Sequence, residues 1–191
     1  GKTALMFALK NRHKEIVKLL LVRGADIHAK SRSGQTALML ALKNGYTAIV
    51  KLLLSRGVNV NVCDLLGVTP LIIASNSGHA AIVKLLLAKG AQVNAKNIYA
   101  HTALIRASLS GYVSVVKLLL SRGAKVNLKS VHGETALMWA STKGHMAVVK
   151  LLLTKGAKVN TRNNEGNTAL KLAIKNGHTV IVKLLKKHGA R

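Results

Sequence analysis

Acidic residues are almost missing from this chain. Five Asp and Glu stand against 30 Lys and Arg among 191 residues, a formal net charge of +25. Such a balance favours anionic partners and disfavours basic ones. Five scattered carboxylates also leave no paired acids for general acid–base work; Glu134 and Glu165, at adjacent turns of the chain, are the closest candidates. Aromatic residues make up 3% and there is one proline, a composition that disfavours a β-sandwich and suits short helices. The lone cysteine, Cys63, has no partner for an internal disulfide, which suits a reducing, intracellular compartment. No apolar run approaches the roughly 18 residues of a membrane-spanning helix, and no signal peptide is visible. Glycine-rich phosphate loops and metal-spaced Cys or His sets are missing too; His101 and His132 are spaced to be neighbours but have no third ligand.

What the chain has is a phrase. "TPLIIASNSGHAAIVKLLLAKGAQVN" from Thr69 returns as "TALIRASLSGYVSVVKLLLSRGAKVN" from Thr102 and "TALMWASTKGHMAVVKLLLTKGAKVN" from Thr135. Copies span 1–33, 34–66, 67–99, 100–132, 133–165 and 166–191 without insertion. Each opens on a threonine (Thr3, Thr36, Thr69, Thr102, Thr135, Thr168) just before an apolar pattern, where its hydroxyl can cap a helix N-terminus. The "VVKLLL" stretch has apolar residues at three- and four-residue spacing, which predicts a second helix. It closes at Gly24, Gly57, Gly90, Gly123, Gly156 and Gly189, each in a place that suits a left-handed residue. Ser31, Asp64, Asn97, Ser130 and Asn163 then mark a turn before the next copy.

On these residues the chain resembles the ankyrin-repeat family over essentially its whole length. The resemblance implies an all-α solenoid of stacked helix-turn-helix units with β-turn fingers, residues 1–191 forming one domain. First helices would line a concave face, second helices a convex back, and neighbouring copies would cover each other's apolar sides. It also implies a non-enzymatic protein-binding module with no cofactor, metal or small-molecule substrate. His79, His145 and His178 fill the family's Gly-His position and read as structural. The family's asparagine (Asn61, Asn94, Asn127, Asn160) is sometimes hydroxylated, but the usual acid two residues earlier is missing, so none is expected here. Two departures stand out. The histidine of the family's Thr-Pro-Leu-His phrase is replaced by Met6, Met39, Ile72, Ile105, Met138 and Lys171, and most of its acids are gone. Because the chain starts at Gly1 in register with the repeat, further copies upstream are expected. The polar last copy, with Lys186 for a leucine, reads as a cap.

Function is expected where the copies differ. The predicted groove stripe reads Phe7, Lys10, Asn11; Leu40, Lys43, Asn44; Ile73, Asn76, Ser77; Arg106, Leu109, Ser110; Trp139, Thr142, Lys143; Leu172, Lys175, Asn176. Three middle fingers carry apolar tips where turns are usually polar: Leu65-Leu66 with Val68, Ile98-Tyr99 with His101, and Val131-His132. Together with Arg106, Leu109, Trp139 and Lys143 these form the expected partner-binding set. Apolar anchors in a polar rim characterise protein-binding surfaces, and Trp, Tyr and Arg dominate binding energies. Exposed lysines would favour an acidic peptide or loop. One alternative is electrostatic binding of nucleic acid or an anionic membrane through the column Lys18, Lys51, Lys84, Lys117, Lys150, Lys183. A second is an engineered repeat scaffold without a native partner.

Overall fold

A computed structural model describes residues 1–191. It contains twelve short helices and no strand; one isolated β-bridge joins Lys30 and Thr36. The chain groups into two compact units, 1–92 and 93–191. The first holds α1 (Ala4–Lys10), α2 (Lys14–Val22), α3 (Ala37–Lys43), α4 (Thr47–Ser55), α5 (Pro70–Asn76) and α6 (Ala80–Ala88). The second holds α7 (Ala103–Ser110), α8 (Val113–Ser121), α9 (Ala136–Thr142), α10 (Met146–Thr154), α11 (Ala169–Lys175) and α12 (Thr179–Lys187).

Each unit repeats one local design. All six threonines sit at N-caps in extended conformation, with the hydroxyl accepting the N–H three residues on at 3.3–3.4 Å. One of the orphan donors at each helix start is thereby satisfied. Helices of seven to nine residues are marginal alone, so packing must hold them. In the first unit α1 packs on α2 and α3, α3 on α4 and α5, and α5 on α6. In the second α9 packs on α7, α10 and α11, while α10 also touches α8 and α12. Leu38, Leu53, Leu71 and Leu86 are buried in one core, and Leu104, Leu119, Leu137 and Leu152 in the other. The residues that replace the family's histidine are buried as expected, except Lys171, which is exposed.

Polar stitches run from copy to copy. Asn94 donates its amide to Gly123 O at 3.1 Å and accepts from Lys125 N at 2.8 Å. Asn61, Asn127 and Asn160 repeat the pattern toward Gly90, Gly156 and Gly189. His145 Nε2 bonds Leu109 O, and His178 Nε2 bonds Thr142 O, both at 3.0 Å. These histidines sit close against a neighbour's backbone: a Cβ on Gly111 would meet the His145 ring at 2.6 Å. Two non-glycine residues hold the left-handed turn positions, Arg12 at φ 62° and Ala100 at φ 54°.

Candidate functional site

The fingers are β-turns built by one side chain. Asn97 Oδ1 accepts from Tyr99 N at 3.0 Å and His101 N at 2.9 Å, while Ala100 N closes the turn on Asn97 O. Ser130 does the same for His132 and Glu134, and Asp64 for Leu66 and Val68. With the backbone polar groups consumed inside the turn, the tip side chains are left to point outward. Neighbouring fingers are then tied edge to edge. Val131 N donates to Tyr99 O, and Asn164 N donates to His132 O, both at 3.0 Å.

In the second unit this geometry sets Ile98, Tyr99 and Val131 side by side at the surface, about half exposed each (54%, 47% and 48%). His132 and Lys143 are exposed; His101, Arg106, Leu109 and Trp139 are half-buried. The Tyr99 and His101 rings lie 6.1 Å apart at 39°. Burial holds the His101 imidazole below its ordinary pKa, and the nearby Arg106 and His132 charges push the same way. A neutral His101 beside an exposed phenol is more apolar than the sequence suggests. Trp139 has its indole Nε1 covered and without an acceptor in the protein, so what it shows to solvent is carbon. Glu134 is drawn into its own finger by the Ser130 hydroxyl at 3.2 Å.

In the first unit Leu65 and Leu66 are exposed at 73% and 48%, and Val68 is half-buried behind them. Leu65 N donates to Ser33 O at 3.0 Å, the same finger-to-finger tie. Phe7, Lys10 and Lys43 are exposed on the expected stripe, but Ile73 is not: it is buried. The lysine column on the second helices is exposed throughout, and the only ion pair it makes is Lys18 with Glu15 at 2.9 Å. No group of three or more His, Cys, Asp and Glu side chains assembles anywhere in the chain, and Cys63 is exposed. No helix is long and apolar enough to cross a membrane.

One feature of the first unit escaped the sequence. Lys2, Lys10 and Lys43 line a cavity of about 310 Å³ whose other walls include Ser31, Ser33 and Gln35. The signal was available: Lys10 and Lys43 occupy equivalent places in successive copies, as do Lys2 and Gln35. The expected groove stripe already includes Lys10 and Lys43; that Lys2, Ser31 and Ser33 join them is what the repeat pattern does not show.

A sequence model of the family described as ankyrin repeats (3 copies) matches over residues 1–64, 56–130 and 126–191. No curated protein matches the chain.

Proposed function

The chain belongs to the ankyrin-repeat family, whose repeats are protein–protein interaction modules, and on that premise we propose that residues 98–143 hold a partner's peptide or loop. The supporting observation is the pair of tied fingers that exposes Ile98, Tyr99 and Val131 together. Exposed apolar residues scattered singly need no explanation, whereas neighbours fixed by a backbone bond form a patch. Trp139 and Leu109 add carbon surface on α9 and α7, and Arg106 and Lys143 supply charge at its margin. The partner is acidic: among residues 93–191 Glu134 and Glu165 are the only acids against 17 Lys and Arg.

Magnitudes assign the roles. Truncating a central aromatic anchor commonly costs about 2 kcal/mol or more, while exposed ion pairs contribute about 0–1 kcal/mol. Ile98, Tyr99 and Trp139 therefore set affinity, and the lysines set encounter rate and discrimination against basic sequences.

The test uses peptides selected from a random library on the immobilised full chain, with affinities measured at two salt concentrations. Trp139→Ala and Tyr99→Ala should weaken binding by roughly tenfold or more, and Lys150→Ala by less than about threefold. Equal losses from all three, or an affinity that collapses with salt as expected for phosphate contacts, would favour a spread electrostatic surface instead.

A further inference from the structure

The cavity lined by Lys2, Lys10 and Lys43 has no role in the recognition surface described above, and it lies wholly within the first unit. We propose that it receives a phosphorylated side chain of a protein partner.

Its construction favours a multiply charged oxyanion. Lys10 and Lys43 each close a first helix, α1 and α3, which pack against one another, and both residues line the cavity. Lys2 supplies a third cation, and no carboxylate lines the cavity. The nearest finger acid, Asp64, is committed: its Oδ1 accepts the backbone N–H groups of Leu66 and Val68. Of the remaining acids in this unit, Glu15 pairs with Lys18, and Asp26 accepts from His28 N. Three cations without an internal counter-ion repel one another, and a dianion relieves that more fully than a monoanion.

The donor types point the same way. Lysine brings a point charge with three rotatable donors, a recurrent way of holding a phosphate. Ser31 and Ser33 share one hydrogen bond between their hydroxyls at 3.0 Å. One of the two hydroxyl protons is used in that bond, which leaves the other free to donate to a ligand oxygen. The volume is at the small end of ligand sites, a fit for one side chain rather than a cofactor.

An adjoining cavity of about 430 Å³ shares Lys2, Ser31 and Ser33 and adds Phe7 and Arg32. Phe7 is 51% exposed, with Lys2 Nζ 5.6 Å from its ring centroid. A residue flanking the phosphorylated one can pack on that ring. The combination belongs to this end of the sequence only. In later copies the place of Lys2 is taken by Val68, His101, Glu134 and Asn167, and that of Lys10 by Asn76, Leu109 and Thr142 before Lys175.

The proposal rests on the peptide-receptor reading only in taking a protein as the carrier of the phosphate. Inorganic phosphate, which needs no apolar contact, probes the cavity even if Trp139→Ala leaves peptide binding unchanged. The experiment titrates the full chain with inorganic phosphate, then with a pentapeptide bearing a central phosphoserine and its serine and aspartate counterparts. Backbone amide resonances and affinities are followed in wild type, in K10Q/K43Q, and in K117Q/K150Q, which removes the same charge from exposed sites on α8 and α10.

Phosphate should move the resonances of Lys10, Lys43 and residues 31–35. Phosphopeptide affinity should fall about tenfold or more in K10Q/K43Q and less than about twofold in K117Q/K150Q. Far-UV circular dichroism confirms that both variants fold, and Ser33→Ala, which alters no charge, should weaken phosphate binding measurably. The proposal is overturned if both lysine pairs weaken binding equally, if the serine peptide binds as well as the phosphopeptide, or if the aspartate peptide does. A duplex oligonucleotide that displaces the phosphopeptide and is weakened equally by both pairs overturns it too, by assigning the charge to a spread polyanion surface.

Discussion

The two units share a backbone plan and differ in how their copies are stitched. In the second, Asn94, Asn127 and Asn160 each bond the next copy twice, and His145 and His178 each reach back to a carbonyl. In the first, only Asn61 forms this pair of hydrogen bonds. His28 stands at the place of Asn61 in the copy before it; each unit has one tyrosine at the histidine place, Tyr46 and Tyr112, and the Lys14 ammonium lies over the Tyr46 ring at 5.1 Å. Arg56 Nη1 donating to Leu21 O and Asn44 Nδ2 donating to Leu9 O are partial replacements. Each unit also holds one side-chain-bearing residue in a left-handed turn, Arg12 in the first and Ala100 in the second, at about 1 kcal/mol or more each, so this strain does not separate them. The lesson is a division of labour: the second unit is the firmer scaffold for an apolar display, and the first trades regularity for cations around a cavity.

The comparison breaks most visibly at Gly111. Its φ of 78° strains any side chain, and a Cβ would collide with the His145 ring that stitches two copies. Gly111→Ala should cost about 2–3 kcal/mol in urea unfolding, being left-handed strain plus a displaced hydrogen bond. Gly24, at φ 76° with open space around it, carries only the strain, so Gly24→Ala should cost about 1 kcal/mol.

A smaller pair of changes moves a stitch from one unit to the other. Asn127→Ala removes two bonds at a solvent-exposed site and should cost about 1 kcal/mol. His28→Asn restores the amide toward Gly57 O and Asn59 N, and should raise stability by about 0.5–1 kcal/mol. Hydrogen exchange in α2 and α4 should slow in that variant.

The smallest effect is a pH dependence confined to the second unit. The folded pKa of His101 lies below its unfolded value near 6.5, so just below that pH the unfolded chain binds more protons. Stability contributed by the neutral ring is therefore present above pH 6.5 and declines as pH falls beneath it. Chemical denaturation at pH 7.5 and 5.5 should show this decline reduced in His101→Gln.

Much of the scaffold was legible in the sequence because each local signal recurs at one place in every copy. The threonine caps, the glycine stops and the Ser, Asp and Asn finger residues all act locally, and the structure shows each bonded as its chemistry requires. What escaped was non-local. The asparagine column is one letter per copy in the sequence, and only the stacked geometry shows it bridging copies. Arg12 and Ala100 keep a glycine conformation that their own preferences oppose, because neighbouring bonds fix the turn. Ser75, Ser108 and Ser141 hold buried hydroxyls without partners in a column that begins with Leu9 and Leu42, and nothing in the structure explains that choice. For the site, exposure of Ile98, Tyr99 and Val131 agrees with the turn pattern, while the cavity at Lys2 needed three separate segments brought together.

Register-constant residues bear the stack, and register-variable ones are free for recognition. Urea unfolding midpoints of Asn127→Ala and Tyr99→Ala, measured side by side, test that most directly. The expected result is a lowered midpoint for Asn127→Ala and a change within about 0.5 kcal/mol for Tyr99→Ala. A Tyr99→Ala variant destabilised as much as Asn127→Ala would make the fingertip part of the scaffold and contradict the division.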